Sequence, residues 1–595
     1  MAQEEPWTLS EPLPLPDLSL NLVEDTADAA DFLDWLNART RPVAVDTETK
    51  GLDWWRPDFT RLVQFGDTAG GWALDARQWR GPITEALDHL RVSDTPVVFH
   101  NAKFDMHALE SDGFPVPAWR NVHDTAVQHH LLDNLSRHGL KAIAGGLYGP
   151  KATFGERVLK DEMRLNKWTW ATVPTDCPAL WQYGVLDTCL TALLHSRPEF
   201  RKVREHPVYE REMAAMAVYY RAERRGMTVD VARAQLLRDQ WSQEAAALHG
   251  TLSAAGIENP NSNAQITQVL KAAGWLPDLF TPTGEAQLDK KVLRALEATY
   301  PGVATPLLRY KQLTKWIATY LDPFADSGGT VHPSIHLLGA RTGRMSVSTP
   351  PLQQLPRDAN IRSCVVPHAD DERLYAADYD GQELRLMAHY SEDPALLRTF
   401  TEDLDPHTFA ASLCYSKEMP EVTKAERSMA KNTVYARLYG GGPAKIAETA
   451  GVSESEIRQF LNVYAQEFPY VDQFISTVER TGAQRLSDEG TAYVRSHAGR
   501  KVATEPDGLY RLVNYLIQGS AKDVLTRCTI DLDLAGLSDY IVVPVHDEIL
   551  FSLPEAEGPA LVKEIADVMT DRTSFRVPLT VGADGPLQNW GEKYE

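Results

Sequence analysis

Three features predict a multidomain α/β protein. They are the length, an N-terminal third in which short β-rich runs alternate with helical stretches, and a C-terminal half that mixes strands with long helices. At 595 residues the chain exceeds what one core fills, and at roughly 100–200 residues per domain three or more units are expected. Residues 1–30 read as a lead-in, extended at Glu11-Pro12-Leu13-Pro14-Leu15-Pro16. Beyond it, Pro42-Val43-Ala44-Val45 and Pro96-Val97-Val98-Phe99 read as strands between helices. Residues 206–330 turn mostly helical. Asp230 caps a helix over 231–248 that Gly250 would end, and a second helix with Arg309, Lys311 and Lys315 runs over about 304–320. Strands follow at 373–377 and 540–545, with a helical block over about 394–485 between them.

Composition narrows the class only partly. Hydrophobic residues make up 43% and charged residues 24%, an ordinary globular balance. The acidic start Met1-Ala2-Gln3-Glu4-Glu5 leads into no apolar segment, so no secretory signal is expected, and no run of about 18 apolar residues points to a membrane span. Cys177, Cys189, Cys364, Cys414 and Cys528 form no CxxC pair, which argues against disulfides or structural zinc and for a reducing cytoplasm. A net charge of −22 speaks by itself against a nucleic-acid binder, because phosphate contacts need Lys and Arg. A basic cleft can still sit in an acidic surface, and carboxylates that hold a divalent cation add to the acidic count. There is no GxxxxGK[ST] loop, so a P-loop ATPase is excluded.

Val43-Ala44-Val45-Asp46-Thr47-Glu48-Thr49 puts Asp46 and Glu48 at i and i+2 of a strand, on one face. Alone, such a pair is most often a solvated strand end. Two later elements change the weighing. His100-Asn101-Ala102-Lys103-Phe104-Asp105 follows the strand ending at Phe99, and Tyr183-Gly184-Val185-Leu186-Asp187 sets Tyr183 and Asp187 one helical turn apart. This ordered Asp-x-Glu, Asn-x3-Asp, Tyr-x3-Asp series resembles the DEDDy 3′→5′ exonucleases over about residues 40–195. The resemblance implies an RNase H-like domain in which Asp46, Glu48, Asp105 and Asp187 bind two divalent metals, Tyr183 orients the attacking water and Asn101 contacts the substrate. Clustered like charges are costly unless cations neutralise them.

A second set lies downstream. Asp378-Tyr379-Asp380-Gly381-Gln382-Glu383-Leu384-Arg385 follows one predicted strand, and Val545-His546-Asp547-Glu548 another. Adjacent antiparallel strands would bring Asp378 and Asp547 together, and Mg²⁺ needs only one or two carboxylates when substrate phosphates complete its shell. Between them Arg427, Lys431, Tyr435 and Tyr439 recur every four residues. At about 100° per residue each step drifts about 40°, so the four form one helical stripe. Two cations followed by two aromatics suit the phosphates and base of a nucleotide. By itself the same helix also reads as a solvated basic start with two core tyrosines. Gly440-Gly441-Gly442 reads as a helix stop.

These pieces resemble the signature segments of the family A DNA polymerases, the group of the bacterial polymerase I large fragment. Further matches are Thr342-Gly343-Arg344-Met345-Ser346 with Leu352-Gln353-Gln354-Leu355-Pro356, Asp405-Pro406-His407, Asn514 with Gln518-Gly519, and Gln588-Asn589-Trp590. The resemblance implies an exonuclease domain at 31–205 followed by a right-hand polymerase domain at 206–595. Its thumb would span about 230–330, its palm about 331–395 and 490–595, and its fingers about 396–489. It implies DNA synthesis on a primer-template from dNTPs. Asp378 and Asp547, with the Tyr379 carbonyl, would hold two Mg²⁺ (Mn²⁺ able to substitute), with Glu548 as an auxiliary carboxylate. Arg427, Lys431 and His407 would grip phosphates, and Lys431 would protonate pyrophosphate. Glu383 would be the steric gate against ribose, beside Tyr435 and Tyr439 at the nascent pair. Arg344, Gln353, Asn514, Gln518 and His546 would contact the minor groove and primer end, where acceptors are nearly sequence-independent.

Tyr at 435 implies easy dideoxynucleotide incorporation. Gln382 departs from the apolar residue common beside the gate. Residues 356–362 look shorter than in the large fragment, so its phosphate-contacting Arg is not assigned. The chain opens at the exonuclease domain with no room for a separate 5′-nuclease, and no thioredoxin-type thumb insertion is evident. That layout resembles phage-encoded polymerases, monomers acting in a host cytoplasm. Two alternatives stand beside this reading. An RNase D-class nuclease with a helical extension would need none of Asp378, Lys431 and Asp547, and a non-catalytic scaffold would need neither carboxylate set.

Overall fold

A computed structural model describes residue 9 and residues 11–356, 358–450 and 452–595. The start of the expected lead-in, and Arg357 within the shortened stretch 356–362, lie outside the described residues.

The first sheet contains β1 (Ser19–Leu22), β2 (Val43–Thr49), β3 (Thr60–Gly66), β4 (Gly70–Asp75), β5 (Val97–Phe99) and β6 (Val122–Asp124), in the order β1-β4-β3-β2-β5-β6. β2, β3 and β4 are antiparallel neighbours, while β5 and β6 run parallel to β2. β1, inside the expected lead-in, pairs parallel with β4. β2 is buried along both faces, as a strand covered by helices on both sides must be. α1 (Ala102–Ser111) follows β5, and α2 (Pro178–Ser196) lies across β2, β3 and β4. Gly184 permits that close approach, since a Cβ there would stand 2.8 Å from Gln64 Cδ.

α3 (Pro207–Arg225) joins the two halves, and the main apolar core runs through it. Its Glu223 accepts from His107 Nε2 at 2.7 Å and pairs with Lys103, both on α1, and it also accepts from the Ile335 amide at 2.5 Å. Its Glu212 pairs with Arg500 and accepts from Lys522 Nζ at 2.9 and 3.0 Å. Asn134 adds a third tie. Its Nδ2 donates to the Arg341 and Ala503 carbonyls at 3.0 Å each, and its Oδ1 accepts from the Ala503 amide at 2.9 Å.

Asp230 caps α4 (Val231–Ala254) as expected, accepting from the Arg233 amide at 2.9 Å. The helix does not stop at Gly250. Glycine costs a helix interior only about 1 kcal/mol, and Leu252 two residues on is buried in a separate small core with Ile257, Ile266, Leu270 and Leu307. The chain leaves the helix at Gly256, φ +92°. α5 (Pro301–Trp316) starts three residues before the expected helix and passes through a π turn, Ile317–Leu321, into a last helical turn, Asp322–Ala325.

The second sheet comprises β7 (Glu372–Tyr379), β8 (Ile541–Val545), β9 (Glu548–Pro554) and β10 (Val581–Leu587), antiparallel throughout in the order β8-β9-β7-β10. β7 runs two residues past the expected end, so Asp378 and Tyr379 lie in the strand and not after it. The helix Gly558–Met569 packs on β7, β9 and β10. Between β7 and β8 the chain forms α6 (Gln382–Ser391), α7 (Pro406–Tyr415), α8 (Lys424–Leu438) and α9 (Leu512–Leu534), of which α6 and α9 pack together and α7 and α8 pack together. No helix among the described residues is long and apolar enough to cross a membrane.

Burial raises the Glu212 carboxyl, but Lys522 and Arg500 outweigh it and hold the group below the usual range. Removing the carboxylate leaves two cations buried with one partner fewer, a change that costs about 3–5 kcal/mol. Glu212→Ala should therefore lower the free energy of the first unfolding step in urea by an amount of that order and move its midpoint down; an unchanged midpoint refutes the structural role of this network.

Candidate functional site

The exonuclease-like residues converge at one end of the first sheet. β5 pairs with β2 only at Val43 and Ala44, so the edge of β2 beyond is open. α1 fills it. Asp105 Oδ1 accepts from the Thr47 amide at 3.0 Å and from Thr47 Oγ1 at 2.7 Å. Asp46 and Glu48 project from β2, and α2 brings Tyr183 and Asp187. Asn101 is exposed at the N-cap of α1 with φ +77°, its amide donating to Asp124 Oδ1 at 3.2 Å.

Charge crowding at this point is severe. Burial and then Asp105, Glu48 and Asp187 push the Asp46 carboxyl well up; burial and Asp187 do the same to Glu48. Burial pushes Asp105 up to about 7 despite its Thr47 bonds, and it raises Asp187 against the pull of Lys141. The Tyr183 hydroxyl is raised by burial and by Asp187. Lys141, which the motif reading missed, pairs with Asp187 and lies 4.4 Å from the centroid of the Tyr183 ring. Thr47 was missed too, although it stands between the two motif carboxylates.

In the second sheet, β8 and β9 are joined by the two-residue turn His546-Asp547, with Val545 opposite Glu548. His546 takes φ +61°, the backbone a tight hairpin requires. β7 pairs with β9 so that Asp378 lies opposite Glu548, and the Tyr379 amide donates to the Asp547 carbonyl at 3.4 Å. Asp378 and Asp547 thereby meet. Asp378 Oδ1 is buried without a hydrogen-bond partner, and burial, Asp547 and Glu548 push that carboxyl up to about 7. Asp547 is also raised by burial. Glu548 differs, because it accepts from Trp590 Nε1 at 3.2 Å and from Lys593 Nζ at 2.5 Å. Lys593 is a further residue that the motifs did not reveal.

Gly381, φ +59°, turns the chain from β7 into α6 and sets Glu383 in its first turn. Glu383 accepts from Tyr439 Oη at 2.7 Å and pairs with Arg344. The Tyr435 and Tyr439 rings stack at 6.4 Å, and the His407 ring lies 5.7 Å from Tyr435. Burial, Glu383 and Asp547 push the Tyr435 hydroxyl up to about 12, and the Tyr439–Glu383 bond holds the aromatic end of the stripe against α6. Lys431 is exposed on α8. Burial lowers His407 to about 4, with Lys431 and Arg427 adding to it against Asp405, so this ring is neutral at pH 7. Arg427 is not free, because it forks onto Asp405 at 2.9 and 2.7 Å.

Gln353 donates to the Met345 carbonyl at 3.0 Å, and its own carbonyl lies 3.1 Å from His546 Nε2. Asn514 and Gln518 stand one turn apart on α9, half-buried. Gln382 is 4% exposed, its Nε2 unpartnered beside a small cavity that Arg344, Lys522 and Asp547 help line.

Among the described residues no three His, Cys, Asp or Glu groups stand as a ready metal cage. The donor chemistry nonetheless suits a hard cation: two buried sets of carboxylate oxygens with raised pKa values, one of them holding an orphaned oxygen.

Residues 232–592 match the family model for DNA polymerase family A, and residues 20–197 the model for a 3′-5′ exonuclease. The chain is 29% identical to the DNA polymerase of Mycobacterium phage D29, and 27% to that of Mycobacterium phage L5, each over 97% of both chains. DNA polymerase I of Chloroflexus aurantiacus is 30% identical over 84% of this chain but only 55% of its own length. The chain thus spans nearly all of the phage relatives and about half of this bacterial one. Among solved structures, the POL domain of Pol1 from M. smegmatis shares the fold, with a TM-score of 0.75 at 24% identity over 96% of this chain and 99% of that one. The chain belongs to DNA polymerase family A, with a 3′-5′ exonuclease domain preceding its polymerase domain.

Proposed function

We propose that the chain extends a primer 3′-hydroxyl by template-directed nucleotidyl transfer from dNTPs at the second sheet, and proofreads by removing 3′-terminal nucleotides at the first. The observation that carries this reading is the meeting of Asp378 and Asp547 under the aromatic end of α8, with one Asp378 oxygen left without a partner. The M. smegmatis neighbour, which shares the fold, was solved as a complex with DNA primer-template and dNTP, the ligands this reading requires. In this reading residues 31–205 are the exonuclease unit. Residues 230–330 are the thumb, 396–489 the fingers, and 331–395 with 490–595 the palm. The protein acts as a monomer in the cytoplasm of a phage-infected host.

Asp378, Asp547 and the Tyr379 carbonyl would hold two Mg²⁺, and Asp46, Glu48, Asp105 and Asp187 two more, with Mn²⁺ able to substitute. Bound there, the ions would supply Lewis acidity to the attacking oxygen and charge neutralisation to the leaving one. The side chains do the rest. Lys431 and Arg427 grip the triphosphate, and Arg427 exchanges its Asp405 partner for the anion. His407, neutral, donates a hydrogen bond, and Lys431 gives the departing pyrophosphate its proton. Glu383, pinned by Arg344 and Tyr439, fills the space a 2′-hydroxyl needs, which excludes ribonucleotides. Tyr435 and Tyr439 bear on the nascent pair, while Arg344, Gln353, Asn514, Gln518 and His546 follow the minor groove and primer end. Glu548, clamped by Lys593 and Trp590, shapes the palm charge. At the other centre Tyr183 orients the attacking water and Asn101 holds the frayed strand.

A labelled primer on a template with Mg²⁺ separates this from the nuclease and scaffold alternatives. The protein should lengthen the primer with dNTPs and shorten it without them; Asp378→Ala should abolish only lengthening and Asp46→Ala only shortening. If Asp378→Ala or Asp46→Ala removes both activities from a protein that melts like the parent, two independent centres are refuted.

The Tyr435 hydroxyl can replace the 3′-hydroxyl that a dideoxynucleotide lacks. Tyr435→Phe should therefore raise the deoxy/dideoxy preference sharply in single-nucleotide insertion kinetics. An unchanged ratio rules the role out.

The exonuclease carboxyls have folded-state pKa values above their unfolded ones. The native state then binds more protons than the unfolded state between those values, and stability falls as pH rises through the window. In EDTA, Asp46→Asn should melt above the parent protein at pH 8, with the gap closing towards pH 4; a gap independent of pH contradicts the crowding.

A further inference from the structure

Lys141 extends from the helix Leu140–Tyr148, which packs beside α2. Its side chain is 16% exposed, its ammonium is paired with Asp187 Oδ1, and it stands over the Tyr183 ring. Its charge also reaches Asp46 and Glu48, pulling both carboxyls down against burial and mutual repulsion. The other nearby cation, Arg61, is committed elsewhere, donating to the Trp170 carbonyl at 2.7 Å and to the Val173 carbonyl.

We propose that Lys141 is a built-in cation of the exonuclease centre. It competes with the divalent metal for Asp187 and, once displaced, moves onto the phosphate of the 3′-terminal nucleotide. The proposal rests on the metal reading above. An ammonium on Asp187 Oδ1 already offsets part of the negative charge that would attract a metal, and it repels a second cation brought to the same carboxylates. Lysine is a compact charge on a flexible four-carbon stem, so the exchange takes a change of rotamer and no movement of backbone. The metal-free centre is held partly neutral by Lys141, which is how four crowded carboxylates persist in a folded chain. Metal and single-stranded DNA then bind cooperatively: the metal releases the ammonium, and the strand supplies the anion that receives it. Coupling of this kind is reciprocal by linkage, so DNA should tighten metal binding as much as metal tightens DNA binding.

The test uses the full chain with Asp378→Asn and Asp547→Asn, which confines the readout to the exonuclease centre. Mn²⁺ binding is followed by electron paramagnetic resonance. Lys141→Met should tighten Mn²⁺ binding without DNA by about tenfold, the equivalent of a competing interaction of one pKa unit. Lys141→Arg, which keeps the charge, should stay near the parent. A phosphorothioate oligonucleotide that resists cleavage should tighten Mn²⁺ binding in the parent and much less in Lys141→Met. Full primer extension by Lys141→Met with an intact polymerase centre shows that the fold is kept. Unchanged or weaker Mn²⁺ binding by Lys141→Met overturns the proposal. If the parent has no Mn²⁺ site that Asp46→Asn removes, the metal reading itself fails and this inference fails with it.

Discussion

Buried negative charge without a matching cation is the constraint on which the rest of the structure depends. Glu212, Glu223, Asp46 and Asp378 all lose solvent, yet their carboxyls move in opposite directions: Glu212 and Glu223 down, Asp46 and Asp378 up. Burial raises every one of them. For these four the sign follows whether close cations outweigh burial and neighbouring carboxylates; at Asp187 one lysine does not, and that carboxyl stays raised. Glu212 has Lys522 and Arg500, and Glu223 has Lys103. Asp378 has an oxygen with no partner at all. Compensated carboxylates hold the frame, and uncompensated ones mark where an outside cation is wanted.

The frame is rigid where the uncompensated groups need it. α3 carries Glu212 on one turn and Glu223 three turns later, so a single helix ties Arg500 and Lys522 of the polymerase half to Lys103 and His107 of the exonuclease half. α1 bears Asp105 between those two anchors. The helix that supplies an exonuclease carboxylate is therefore fixed against the polymerase half. In the second sheet, the ladder β8-β9-β7 converts two residues far apart in sequence into neighbours by backbone pairing alone.

The carboxylates were legible in the sequence because strand alternation and a four-residue helical step determine direction without tertiary knowledge. Asp46 with Glu48, Tyr183 with Asp187, and Asp378 before a glycine turn belong to that class. Boundaries were less legible. Gly250 marks a stop only if nothing beyond it is buried, and Leu252 is buried. β7 continues to Tyr379 because β9 and β10 pair with it on both sides, a long-range fact. Cations were the least legible. Lys141, Lys522 and Lys593 carry no local pattern, since a lysine finds its carboxylate through the fold. The same limit applies to Arg427, whose place in the stripe was readable but whose fork onto Asp405 was not.

α8 is held at both ends by carboxylates of different accessibility. At its start Arg427 is half-exposed and paired with Asp405, which is itself partly open; at its end Tyr439 donates to Glu383, which is buried and also holds Arg344. An exposed ion pair is worth little in water, about 0–1 kcal/mol, so an entering polyanion displaces Asp405 at small cost. The Glu383 contacts are shielded from solvent and cost more to break. On the proposed function, anion capture would be easy at one end of the helix, while the geometry beside Asp378 and Asp547 would be kept at the other. A chain with a net charge of −22 can hold an anionic ligand on these terms, because its basic groups are parked on acidic partners that differ in how readily they let go.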